Sequence, residues 1–212
     1  MTTLLPQKLV ALTGSIGGGK SAVAELLRER GAAIIDADQI AREVLSPGTP
    51  PYNETVALFG PEIVTSEGKI DRRAVASRIF KDPLFKRQLE AILHPRINAE
   101  FLSQLTTLRA AKEVPIIVYV VPLLFETGRD LSMFDEVIVV ATDPDIALER
   151  AARRDGVSRE DIERRYRSQL PIEDKVARAT IVIDNNGSQE DLIRQVSELW
   201  ERLHEAAPRK HE

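Results

Sequence analysis

Gly14-Ser15-Ile16-Gly17-Gly18-Gly19-Lys20-Ser21 sets glycines, one lysine and one hydroxyl at the spacing G-x-x-x-x-G-K-[ST]. That spacing suits one task, gripping the phosphates of a nucleoside triphosphate. Glycines let the backbone wrap closely around an anion and turn successive N–H groups inward. A helix opening at Lys20 adds its positive end and its unpaired N–H groups. The Lys20 ammonium can reach the outer phosphates, and the Ser21 hydroxyl is a suitable magnesium ligand. A glycine-rich turn with an incidental lysine would need no particular flanks. This one follows an apolar run, Lys8 to Thr13, and precedes Val23, Leu26 and Leu27 at helical spacing.

Other chemistry-bearing residues follow. Asp36 and Asp38 end a second apolar run, Ala32 to Ile35. Acids at the C-terminal end of such a strand lie where open α/β sheets bind ligands. Asp38 is a candidate ligand-site acid at that strand end, whereas Asp36 reads as a capping or strand-end carboxylate, or a support for a metal's hydration shell. Arg150 and Arg154 stand one helical turn apart, and Arg164, Arg165 and Arg167 come next. Taken singly these arginines read as a solvated helix face, with acids interleaved. As a group just after a strand they read as a lid. His94, before Pro95, reads as a helix cap, and Glu126 as a buried structural acid or a magnesium or substrate contact, its role left open.

The elements that must position these groups are legible in outline. Strand, glycine turn, helix and strand within residues 8–35 make a βαβ unit. Residues 47–112 lack strong strands and contain capped helices: Asp71 before Val75 and Ile79, Asp82-Pro83 before Phe85, Leu89, Ile92 and Leu93, and a restart at His94-Pro95 before Ile97, Phe101, Leu105 and Leu108. Buried strands resume at Ile116 to Val121 and Glu136 to Ala141, with a last short one at Thr180 to Ile183. Asp143-Pro144 and Ser158-x-x-Asp161 open the arginine-bearing helices. Leu192, Val196, Leu199 and Leu203 line the final helix, and 206–212 reads as a frayed tail.

Composition narrows the classes. The 212 residues carry a net charge of −4 and no cysteine, which disfavours nucleic acid or anionic membrane as main partner and excludes disulfide and thiolate chemistry. Met1 to Lys8 has no secretory pattern, and the apolar run at Ile116 to Phe125 is too short to span a bilayer, so the expectation is a cytoplasmic enzyme. The sequence is silent on oligomeric state. No Asn-Lys-x-Asp motif marks a GTPase switch. The strand ending at Val121 runs into Pro122-Leu123-Leu124-Phe125 before its first acid, Glu126, unlike a motor ATPase. A small-molecule kinase remains. A nucleoside or nucleotide kinase and a non-catalytic nucleotide-dependent binding protein stand as alternatives.

From about Leu9 to Leu203 the chain resembles the dephospho-CoA kinases, which phosphorylate the ribose 3′-hydroxyl of dephospho-CoA in the last step of coenzyme A synthesis. The pieces are Val10-Ala-Leu-Thr-Gly14 running into the phosphate loop, Ile35-Asp-Ala-Asp38 with Ala41-Arg42, Leu93-His-Pro95, Val121-Pro-Leu-Leu-Phe-Glu126, Arg150-x-x-x-Arg154-Asp155, Arg165 followed by Gln169, Lys175, and Ile183-Asp-Asn-Asn-Gly187. Their joint order and spacing carry the resemblance. It implies a three-layer αβα fold of the nucleoside-monophosphate-kinase type, with a five-stranded parallel sheet, a helical insertion and a lid. The nucleotide-binding core would comprise 1–46 with 113–205, the lid about 145–175, and the acceptor-binding insertion 47–112.

ATP and Mg2+ are the implied cofactors and dephospho-CoA the implied partner. ATP would lie on Gly14, Ser15, Ile16, Gly17, Gly18, Gly19, Lys20, Ser21, Ala22 and Asn185, with Ser21 on the metal. Lys20 and Arg150 would meet the transferring phosphoryl group, and Asp38 would be the base. Dephospho-CoA would contact Asp38, Arg42, His94, Pro122 and Leu123. The family loop usually reads Gly-Gly-Ile-Gly-Ser-Gly-Lys-Ser-Thr. Here Ser15 and Gly18 differ, and Ala22 in place of threonine removes one α-phosphate contact. Thr180 stands where the family usually has Asp and is assigned no role.

Overall fold

The computed structural model describes residues 7–205. The expected frayed tail, and all but the last two residues of the segment read for a secretory signal, lie outside that range. The chain divides into two units, one formed by residues up to Ile35 with those from Thr107 onward, the other by Asp36–Thr106.

The first unit is built on a five-stranded parallel sheet of β1 (Lys8–Gly14), β2 (Ala33–Asp36), β3 (Ile116–Val120), β4 (Glu136–Ala141) and β5 (Ile181–Asp184), in the order β2-β3-β1-β4-β5. Central β1 runs beside β3, with Lys8 opposite Ile116 and Leu12 opposite Val120, and beside β4, with Val10 opposite Glu136 and Gly14 opposite Val140. Strands buried on both faces read as unbroken apolar runs, which is why they were visible in the sequence. Val10, Leu12, Val118, Val120, Ile138 and Val140 join one core with Val23 and Leu27 of α1 (Lys20–Glu29) and Val196, Leu199 and Leu203 of α9 (Gln189–Glu205). The intervening Leu9, Ala11, Ile117, Tyr119, Val137 and Val139 are equally buried, so both faces are covered.

Two polar residues at strand entrances fix the register. The Asp135 carboxylate accepts from the Leu9 amide at 2.8 Å while the Asp135 amide donates to the Leu9 carbonyl at 2.8 Å, locking β4 onto β1. The Thr180 hydroxyl accepts from the Val137 amide at 2.8 Å, and the Thr180 amide donates to the Val137 carbonyl at 2.9 Å. Thr180 therefore aligns β5 with β4. Between these strands run α6 (Pro144–Asp155), α7 (Arg159–Arg167) and the short α8 (Ile172–Ala177).

The second unit is helical and starts at Asp36, ahead of the expected 47. It contains α2 (Ala37–Val44), α3 (Pro50–Phe59), α4 (Arg72–Lys81) and most of α5 (Pro83–Ala111), with a 3-10 turn at Pro61–Ile63. Side-chain caps start the helices: Asp36 for α2, Thr49 for α3 and Asp71 for α4. Phe59, Ile63 and Val75 form its small core, and Phe85 stacks on Phe59 at 5.1 Å between ring centroids.

One expected boundary is absent. Pro95 does not restart a helix, because α5 passes through it for 29 residues. His94 is accordingly an exposed mid-helix residue and not a cap. Beside it the Arg96 guanidinium donates to the Ile92 carbonyl at 2.9 Å and pairs with Glu54 at 2.6 Å. Buried Phe101 and Leu105 hold the helix past the proline. Proline inside a helix costs about 3 kcal/mol relative to alanine. Pro95→Ala should therefore raise the free energy of unfolding by roughly 1–3 kcal/mol in denaturant titration. A loss of stability would show that the ring is needed where it stands.

Candidate active site

The phosphate loop leaves β1 at Gly14 and enters α1 at Lys20, as its spacing requires. Its shape is imposed by what stands behind it. Gly17 has φ +72°, and a Cβ there would lie 1.9 Å from the Ala147 carbonyl oxygen of α6. Gly19 has φ +94°, and a Cβ there would lie 2.0 Å from Nδ2 of Asn185. Both positions demand glycine twice over, by conformation and by room. Two side chains grip the carbonyl between them. Thr142 Oγ1 donates to Gly18 O at 2.9 Å and Asn185 Nδ2 donates to the same oxygen at 3.0 Å. The Gly18 carbonyl is thus held on the side of Thr142 and Asn185, while the Gly18 amide closes a turn onto Ser15 O at 3.1 Å. The Lys20 ammonium folds over the loop, donating to Gly14 O at 3.0 Å and Ser15 O at 2.9 Å. Ser21 is exposed in the first turn of α1, and Ala22 follows it.

Ser15 and Ile16 meet the arginine-bearing helices. The Ile16 side chain packs with Leu148, Ala151, Ile162 and Tyr166. Its amide donates to Gln169 Oε1 at 3.0 Å. Ser15, a departure from the family loop, is buried next to the Tyr166 phenol, which burial pushes above its ordinary pKa against the opposing pull of the Ser15 hydroxyl.

The arginines separate into three kinds. Arg153, Arg164 and Arg167 pair with acids on their own helices, Glu149, Asp161 and Glu163, as a solvated face does. Arg154 and Arg165, from α6 and α7, share Asp155. Arg154 bonds it through Nε at 2.7 Å and Nη2 at 3.2 Å, and Arg165 lies 3.7 Å away. The hydrogen bond from Arg154 holds the Asp155 carboxyl below its usual range. Arg150, half-buried, donates to the backbone carbonyl of Asn185 at 3.0 Å, which ties α6 to the segment after β5.

Pro122 and Leu123 begin the turn beyond β3, where the Pro122 carbonyl accepts from Thr13 Oγ1 at 3.3 Å and Leu123 is exposed. Glu126, unassigned from sequence, accepts from the Leu170 amide at 3.0 Å and pairs with Lys175 at 2.8 Å. Burial raises the Glu126 carboxyl, but the bonds from Lys175 and Leu170 outweigh it and leave the group lowered. Asp36 accepts the Asp38 and Gln39 amides at 2.8 and 3.1 Å, the capping role expected of it. Asp38 and Arg42 are exposed on α2, and His94 is exposed on α5. Sequence reasoning missed Thr142 and Tyr166 and gave Gln169 no role. The one available signal for Thr142 was its place directly after β4, at the strand end where ligands bind.

Parallel sheet, phosphate loop and arginine-bearing helices together define the architecture of a phosphate-loop kinase. The sequence profile of the dephospho-CoA kinases matches residues 8–191, and the chain belongs to that family. A dephospho-CoA kinase of Geobacter sulfurreducens is 44% identical over 91% of this chain and 96% of its own length. The solved protein TT1252 of Thermus thermophilus superposes with a TM-score of 0.79 at 36% identity, covering 93% of this chain and 98% of that one. A solved dephospho-CoA kinase from Campylobacter jejuni gives 0.68 at 28% identity, over 92% and 96%.

The Glu126–Lys175 pair yields a pH-dependent expectation. Lys175 is fully buried and the Glu126 side chain is 18% exposed. Glu126→Gln leaves a buried ammonium without its carboxylate and should cost about 3–5 kcal/mol near neutrality. Adding Lys175→Met should recover most of that loss. The folded pKa of Glu126 lies below its ordinary 4.5, so the pair's contribution is complete above that value and fades as pH falls through the folded pKa. Thermal melts from pH 7 downward should show wild type and Glu126→Gln converging. A constant gap would mean that the carboxylate's charge is not what stabilises.

Proposed function

We propose that this protein transfers the γ-phosphoryl group of ATP to the ribose 3′-hydroxyl of dephospho-CoA, giving coenzyme A and ADP. The observation that carries the reading is the family match from residue 8 to residue 191, laid over a phosphate loop whose lysine, glycines and supports are all in place. Among the described residues no helix is long and apolar enough to cross a membrane. A cytoplasmic setting belongs to this proposal, as do the roles assigned below.

The loop amides and Lys20 receive the β- and γ-phosphates, and Lys20 exchanges its bonds to the Gly14 and Ser15 carbonyls for phosphate oxygens. Among the described residues there is no cluster of three or more His, Asp or Glu side chains that could hold a metal. The Ser21 hydroxyl, an exposed hard oxygen at the start of α1, is of the kind that would hold magnesium. Magnesium bound there would offset charge on the β- and γ-phosphates. Arg150, with the Arg154–Asp155–Arg165 group behind it, serves the phosphoryl group from α6. Residues 36–106, with Arg42 and His94, and Pro122 and Leu123 from the turn after β3, serve the acceptor.

The 3′-oxygen attacks the γ-phosphorus, the bond to the β–γ bridging oxygen breaks, and the hydroxyl proton passes to the Asp38 carboxylate. Asp38 suits this task because it follows β2, at the strand end where parallel sheets bind ligands. Binding of the remote pantetheine arm helps to orient the 3′-hydroxyl.

ADP release measured side by side with dephospho-CoA and with AMP tests the reading. Dephospho-CoA should be much the better acceptor in turnover as well as affinity, and equal efficiency with AMP would favour a nucleotide kinase. Asp38→Asn should fold normally, bind ATP normally and turn over about 10²–10⁴ more slowly, the span for a lost general base. A healthy Asp38→Asn beside a dead Asp36→Asn would reverse the two carboxylates.

A further inference from the structure

The amide of Ile16 is inside the phosphate loop, yet its hydrogen bond goes to a side chain 153 positions away, Oε1 of Gln169. Gln169 lies in the short link between α7 and α8, and that link is itself fixed. The Gln169 amide donates to the Tyr166 carbonyl at 3.0 Å, closing α7, and the next amide, Leu170, donates to Glu126 at 3.0 Å. Glu126 is held in turn by buried Lys175 at 2.8 Å. On the loop side, Ile16 is packed among Leu148, Ala151, Ile162 and Tyr166. Gln169 thus runs from a rigid anchor to one loop amide, at the residue where the loop also meets the lid helices.

We propose that Gln169 is a positioning residue for phosphoryl transfer. By taking up the Ile16 amide it turns that N–H away from the cradle and fixes the loop before nucleotide arrives. The following stretch, with its Gly18 amide turned onto Ser15 O at 3.1 Å, is then held in one shape for the phosphates. Because the same residue closes α7, loop shape and lid position are set together. The role deepens the kinase reading above and rests on it, but the contact with Ile16 can be tested apart from turnover.

Gln169→Met keeps length and bulk while losing the carbonyl acceptor. Gln169→Glu keeps an acceptor oxygen and serves only in the exchange measurement, since its charge would by itself repel phosphate. Amide hydrogen exchange at Ile16, followed by NMR without nucleotide, should quicken at least about tenfold in Gln169→Met and stay slow in Gln169→Glu, as expected for a bond that gates local opening. In Gln169→Met, ATP affinity by calorimetry and kcat/KM for ATP should fall about ten- to a hundredfold, the cost of a slightly misplaced reacting group. KM for the acceptor and the melting temperature should stay near wild type. A general structural role would instead lower the melting temperature and affect both substrates alike. Unchanged Ile16 exchange in Gln169→Met would remove the contact, and faster exchange with unchanged ATP affinity and kinetics would remove the positioning role. If the wild type bound ATP but failed to phosphorylate dephospho-CoA, the functional reading would fall, while exchange and ATP affinity would still decide the role of Gln169.

Discussion

A triphosphate can be held by backbone amides only where the backbone comes close enough to touch it and every competing group is turned away. That constraint organises this molecule. At Gly17 the loop lies flush against the main-chain carbonyl of Ala147, so a methyl group there has nowhere to go, and at Gly19 a methyl group would displace the Asn185 amide. The same closeness lets Thr142 and Asn185 draw the Gly18 carbonyl backward. Electrostatic preorganisation of this kind acts without reorganisation cost when phosphate charge arrives.

The rest of the fold supplies the wall behind the loop. β1 delivers the loop and β4, its neighbour, delivers Thr142 and then α6. β5 delivers Asn185, which reaches the loop with its side chain and receives Arg150 on its carbonyl. The Asp135 and Thr180 hydrogen bonds therefore matter beyond stability. They set the registers β1–β4 and β4–β5, and a register slip would carry Thr142 and Asn185 away from Gly18. Thr180 fills this role with a hydroxyl that both donates and accepts.

What the sequence disclosed was local. The phosphate loop shows itself because its chemistry fixes residue types at fixed offsets, and the central strands because a doubly covered sheet makes unbroken apolar runs. Asp36 and Asp71 could be read as caps from neighbouring residues alone. The short helices α2, α3 and α8 were not legible, and Pro95 misled because an interior proline was outweighed by the buried residues beyond it. The supports of the loop were hidden for another reason. Thr142 and Gln169 act on Gly18 and Ile16 across 124 and 153 residues, and no periodicity or spacing encodes such a meeting. The resemblance named Gln169 and Lys175 as positions without saying what they do.

ATP binding here depends on close backbone approach by the loop. Calorimetric titration of ATP into Gly17→Ala tests it most directly, because the added methyl meets a main-chain carbonyl that cannot step aside. Affinity should fall at least about tenfold, roughly 1.4 kcal/mol, with the far-ultraviolet circular dichroism unchanged. Wild-type affinity in a folded Gly17→Ala protein would contradict the account.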